Sequence, residues 1–170
     1  MAILALLTSC GRAKKKARRE WEKIVDSLSV PAIKNHSLFE VFPEFKKEEY
    51  KIIEAQGILC EYVPFFYKYY FTYSGDMQLV QKHISNIECH YTEIKPDTEL
   101  VKSSSNYFEE KIFKGITEQE KQMAQFFFAY KNLDLGELEF YTCVKTPEIH
   151  YLVFDLKNNF IYHMIENFRE

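Results

Sequence analysis

At 170 residues, with 46% hydrophobic residues and only five Gly and five Pro, the chain has the length of one domain and the means to bury a core, which excludes a disordered or fibrous polymer. Its formal charge of −3 is unevenly placed: six of the 22 Lys and Arg stand in the first nineteen residues, leaving residues 20 to 170 with 16 cations against 25 acids, a net −9. Such an acidic body argues against nucleic acid as a partner and suits a cationic one.

The chain opens on an apolar run, Ala2 to Leu7, followed by Thr8-Ser9-Cys10-Gly11 and then by Arg12, Lys14, Lys15, Lys16, Arg18 and Arg19. The run is far short of the roughly 20 residues that span a bilayer, but it suits the hydrophobic stretch of a signal peptide, which ends in small residues. Leu7-Thr8-Ser9-Cys10 resembles the lipobox of bacterial lipoproteins, in the form common in Bacteroidota. The resemblance implies cleavage at Ser9–Cys10, lipidation of Cys10, and a bacterial cell-envelope location with the six cations at the membrane surface. No charged residue precedes the apolar run, where a complete signal peptide carries a basic stretch. The same residues also fit an unpacked chain end, compatible with a cytoplasmic protein, or an Arg-rich, acid-poor mitochondrial presequence. Residues 1 to 19 are accordingly read as a leader and 20 to 170 as a single domain.

Ala17, Trp21, Ile24, Val25 and Leu28 recur at spacings of three and four, predicting an amphipathic helix over 13–28 that ends at Ser29-Val30-Pro31. Residues 32–45 read as irregular, with a short strand around Leu38 to Phe42. Lys46 to about Leu59 reads as a second helix, with Tyr50, Ile53 and Gly57 on one face. Phe65 to Tyr73 holds seven aromatics in nine residues and predicts a strand, with Phe65, Tyr67, Tyr69, Phe71 and Tyr73 on one mainly buried face. Ser74-Gly75-Asp76 supplies a turn, Met77 to Ile84 a short helix, and Ile87 to Ile94 a strand. Residues 95–106, with Pro96, Asp97 and three consecutive serines, read as a loop.

Thr117 and Glu120 match a capping box, in which hydroxyl and carboxylate each satisfy an orphan backbone donor. The helix they open places Ile116, Met123, Phe127 and Tyr130 on one face, and Gly136 ends the connection beyond it. Glu137 to Val144 alternates as a strand, with Leu138, Phe140 and Val144 opposite Glu137, Glu139, Tyr141 and Cys143. A hairpin follows, Tyr151 to Leu156 and Phe160 to Ile165, around Lys157-Asn158-Asn159, residues that tolerate positive φ. Its parity groups Leu152, Phe154 and Leu156 with Ile161, His163 and Ile165.

That grouping sets His163 on an apolar face, where a satisfied core histidine is the ordinary reading. His36, His83 and His150 have no carboxylate or cysteine at metal-ligand spacing, and Cys89 and His90 are adjacent, so in a strand they point to opposite faces and cannot share a zinc. With Cys10 lipidated, Cys60, Cys89 and Cys143 remain, read first as buried thiols. Cys143 with His163 or His150 is the one thiol–imidazole arrangement the sequence offers for nucleophilic chemistry. No phosphate loop, nucleophile elbow, HExxH, EF-hand or paired CxxC occurs.

The fold expected is α+β, helices packed on an antiparallel sheet with a C-terminal β-hairpin. The function expected is a non-enzymatic cell-envelope lipoprotein, held to the membrane by its lipid, whose domain binds another protein. No cofactor is implied. One alternative is an immunity or inhibitor protein whose acidic body neutralises a basic toxin; another is a small cysteine hydrolase.

Overall fold

The computed structural model describes residues 30–62, 66–87, 100–113, 116–145 and 147–167. Cys10, the six leader cations, the helix expected over 13–28, Phe65, Cys89, His90 and the strand expected beyond Ile87 lie outside them.

Among the described residues, seven strands form one antiparallel sheet: β1 (Ala32–Asn35), β2 (Ile53–Tyr62), β3 (Phe66–Ser74), β4 (Val101–Ser103), β5 (Leu138–Lys145), β6 (Glu148–Asp155) and β7 (Phe160–Asn167), in the order β1-β2-β3-β7-β6-β5-β4. The short helix α1 (Leu38–Val41), two 3-10 turns at Pro43–Lys46 and Glu48–Tyr50, and α2 (Met77–Ser85) pack on one face, here face A. Helices α3 (Ser105–Phe113), α4 (Glu118–Met123) and α5 (Gln125–Phe128), with a 3-10 turn at Ala129–Asn132, pack on the other, face B. The expected α+β class therefore holds, with helices on both sides of the sheet.

Double burial explains the aromatic strand. On β3, Phe71 and Tyr73 are buried against face A, while Lys68, Tyr70 and Thr72 are buried on face B. Tyr67 and Tyr69, expected to be buried, are half-exposed where the cover of face A ends. A strand wrapped on both sides reads as a nearly continuous apolar run instead of an alternation.

Residues 46–59 do not form the expected helix: Ile53 to Leu59 belongs to β2. Gly57 pairs with Phe71, and a Cβ there would stand 2.3 Å from the Phe71 ring and 2.6 Å from the His36 carbonyl oxygen. The glycine that weakens a helix is thus the residue that lets an aromatic ring cross the neighbouring strand. A register shift between Ile53 and Gln56, with Glu54 at φ 55°, bends the start of this strand.

Other boundaries also move. The strand expected near Leu38–Phe42 lies upstream as β1, because the Ser37 hydroxyl accepts from the Phe39 amide and starts α1. The serine run is no loop: Ser103 ends β4, and the Ser104 hydroxyl accepts from the Tyr107 amide at the start of α3. Asp76 caps α2 through the Leu79 amide, 3.0 Å, and the Lys145 ammonium donates to the Ser85 carbonyl at its other end, 2.7 Å, placing a cation on the negative end of the helix dipole.

The capping box is present as expected, with Thr117 and Glu120 each bonding the other's backbone amide. Met123, however, is half-exposed at 50%. The helix breaks at Ala124, so the buried stripe runs through Glu120, Ala124, Phe127 and Tyr130. The C-terminal hairpin keeps the expected parity, pairing Leu152 with His163 and Phe154 with Ile161. Its loop spans four residues, Leu156 to Asn159, leaving Leu156 exposed instead of on face A. The Asp155 carboxylate ties the loop by accepting from the Lys157 and Asn158 amides and the Asn158 side chain, and Asn159 takes φ 52°.

Candidate functional site

Face A brings the three sequence candidates together. Cys143 on β5 lies directly opposite His150 on β6, and His150 neighbours His163 on β7. The two imidazoles touch, His150 Nδ1 to His163 Nε2 at 3.0 Å, and His163 Nδ1 contacts the Tyr73 hydroxyl at 3.1 Å. At the far end His150 Nε2 makes no hydrogen bond and stands 3.8 Å from Glu148 Oε2, whose other oxygen accepts from the Tyr67 hydroxyl at 2.7 Å. Three strands, β3, β6 and β7, thus contribute to one polar chain inside an apolar face.

Its polarity can be assigned from chemistry. A phenol that far from water keeps its proton and donates it, so Tyr73 gives its hydrogen to His163 Nδ1. His163 Nε2 then carries the ring proton and donates to His150 Nδ1, leaving the His150 N–H on Nε2, pointed at a carboxylate. The reverse order would set a lone pair against that carboxylate. Burial holds both rings neutral: it drives His150 down to about 3, assisted by the Lys145 ammonium and His83, and holds His163 well below the usual histidine range, assisted by His150 and His83. Burial also raises the Tyr73 phenol.

Aromatic rings seal the cluster. Phe42, at the end of α1, stacks on His163 with centroids 5.5 Å apart and lies 6.3 Å from His150 and 6.0 Å from His83 of α2. His83 Nδ1 meets the Tyr50 hydroxyl at 3.4 Å, and partial burial lowers its pKa. His36 lies apart, 3.2 Å from Glu40 and beside the Tyr69 ring. Cys143, His150 and His163 are each 0% exposed, so the sequence candidates are adjacent yet present no surface to a substrate.

Face B holds a second buried polar group that sequence reasoning missed. Lys68 Nζ on β3 lies 3.5 Å from Glu120 Oε1, and the Tyr70 hydroxyl donates to the same oxygen at 3.1 Å. Glu120 was legible as a cap but not as a counter-ion, because Lys68 is remote in sequence. Cys60 is buried nearby, its thiol pushed up to about 12 chiefly by burial and by the Glu120 charge.

Among the described residues, no three His, Cys, Asp or Glu side chains are grouped to hold a metal ion, and no helix is long and apolar enough to cross a membrane. An open hollow of about 450 Å³ on the helical side of face B is lined by Phe113, Phe128, Lys121 and Lys131 among others, with the Lys131 ammonium 3.7 Å from the Phe113 ring centre. No family model, curated protein or solved structure matches this chain.

Proposed function

We propose that this chain is a non-enzymatic cell-envelope lipoprotein, anchored through Cys10, whose folded body binds a protein partner. The observation that carries this reading is the closure of the thiol–imidazole cluster. Cys143, His150 and His163 are fully buried, and the imidazoles are engaged with each other and with Tyr73. A nucleophile and its base need a reacting atom within about 3 Å of both. Here that space is filled by the protein's own core, so the body works through its surface.

The anchor rests on Leu7-Thr8-Ser9-Cys10. A lipoprotein cysteine carries at least two acyl chains, enough for stable attachment, and each of the six adjoining cations adds about 1 kcal/mol against anionic headgroups. Mass spectrometry of the natively expressed protein, with its native upstream sequence, tests the reading. Acylated Cys10 at the mature N-terminus, and release from membranes by Cys10→Ala, are expected. A soluble protein that keeps Met1 would refute the anchor and point to a cytoplasmic location.

The net −9 of residues 20 to 170 favours a basic partner, including the toxin of an immunity pair. Acidic surfaces steer cationic partners through a field that salt screens. Association with the true partner therefore slows as salt rises to physiological strength, and salt-independent association or capture of nucleic acid argues against this class of partner.

A further inference from the structure

The described histidines are distributed unevenly. His36, His83, His150 and His163 all lie on the face A side, where Phe42 packs against three of them. Face B is built from other groups, its buried polar centre being Lys68, Glu120 and Tyr70. The cover of face A, residues 37–50 and α2, therefore rests on imidazoles: Phe42 on His163 and His150, and Phe45 on the edge of His83, a residue of α2 itself, with ring centres 5.0 Å apart.

This arrangement has no room for full protonation. One added proton can be shared, because a charged His163 could donate to both Tyr73 and His150. A second places N–H groups on both His150 Nδ1 and His163 Nε2, atoms 3.0 Å apart, and that contact must break. The surrounding charges give little relief. From β5 the group meets Lys145, a cation, and Cys143; from β6 it meets Glu148 at 3.8 Å; from β3, the Tyr73 phenol, with Tyr67 bound to Glu148. From α2 comes His83, itself influenced by Glu44 and Lys47 of the cover and bonded to Tyr50. No carboxylate contacts His163 among the described residues.

We propose that mild acid opens this protein on one side only, lifting residues 37–50 and α2 from the sheet and uncovering the apolar surface around Phe71, Leu152, Phe154, Ile161 and Ile165, while face B stays closed. The sign follows from linkage. Histidines that are neutral when buried and ordinary when exposed leave the closed form intact above about pH 6.5 and weaken it as pH falls below that value. Opening is local because the cover is a separate set of contacts from the face B core.

Hydrogen exchange read by mass spectrometry, corrected for the intrinsic pH dependence of exchange, tests this on the wild-type chain. Between about pH 7.5 and pH 5, protection of α2 amides such as Val80 and Ile84 should fall by at least about tenfold. Protection in α3 and α5 should be unchanged, and an apolar dye should bind in parallel. Loss of protection on both faces together, or unchanged protection of α2 at pH 5, would overturn the proposal. Replacing both imidazoles, His150→Leu with His163→Leu, should remove most of the pH response, leaving only what His83 contributes; a folded double variant with the wild-type response would overturn the assignment to this pair. Should the double variant not fold, the wild-type exchange pattern decides.

Discussion

Glu120 and Lys68 join two parts of the fold that lie 52 positions apart: the carboxylate that closes the capping box of α4 is also the buried counter-ion of an ammonium on the interior strand β3, 3.5 Å away, with side-chain exposures of 0% and 2%. Removing one member of such a pair leaves an uncompensated buried charge, whereas replacing both removes the problem. Lys68→Met alone should destabilise the protein by about 3 to 5 kcal/mol in urea unfolding. Adding Glu120→Gln, which keeps a hydrogen-bonding cap, should recover a large part of that loss. Additive costs would mean that the two side chains do not act as a pair.

The histidine chain makes a spectroscopic prediction. Nitrogen-15 NMR at neutral pH should find His163 unprotonated at Nδ1 and protonated at Nε2, and His150 likewise. Tyr73→Phe strips the donor from His163 Nδ1 and should cost about 1 to 3 kcal/mol, the penalty of an orphaned buried acceptor. A proton found on His163 Nδ1 would reverse the assigned direction.

Gly57→Ala should be among the most damaging of single-methyl additions. The new Cβ would meet the Phe71 ring at 2.3 Å and the His36 carbonyl oxygen at 2.6 Å, so overpacking of about 1 to 3 kcal/mol or more is expected as a fall in melting temperature. Phe71→Leu in the same chain should restore only part of the loss, since the backbone contact remains. Complete restoration would show that the ring alone makes Gly57 necessary.

Thiol reactivity separates the binding reading from the hydrolase reading. Cys60 and Cys143 should resist a thiol reagent at about pH 8 and react on unfolding, since both are fully buried and burial pushes the Cys60 thiol up to about 12, where it supplies almost no thiolate. Peptide-level mass spectrometry distinguishes them from Cys10 and Cys89. Fast native modification of Cys143 would revive a nucleophilic role.

The parts of this fold that could be read from sequence are those governed by short-range rules. The C-terminal hairpin and its parity followed from alternation and an Asn-containing loop, and Thr117 with Glu120 announced a helix start. Residues 46–59 were misread because β2 is exposed over its first residues and buried only from Ile58, leaving little alternation to detect, and because Gly57 serves a ring on another strand. The serine run was misread because a cap and a loop draw on the same residues. The site is half legible: parity puts His163 on face A, and the C-terminal sheet brings Cys143 and His150 within its reach, but Tyr73 and the Phe42 seal come from distant segments. Nothing local could have announced that Lys68 is buried.

The position of β7 gives the fold a schedule. This strand lies between β3 and β6, so the β1–β3 ladder and the β4–β6 ladder remain two unconnected pieces until residues 160–167 have been synthesised. Each piece alone shows an apolar edge and half a core, and long-range pairing of this kind is slow. Neither half of the sheet can complete its core before that strand joins them. Late closure of this kind leaves apolar surface uncovered while the chain folds, and aggregation from such partly assembled states is the accompanying risk.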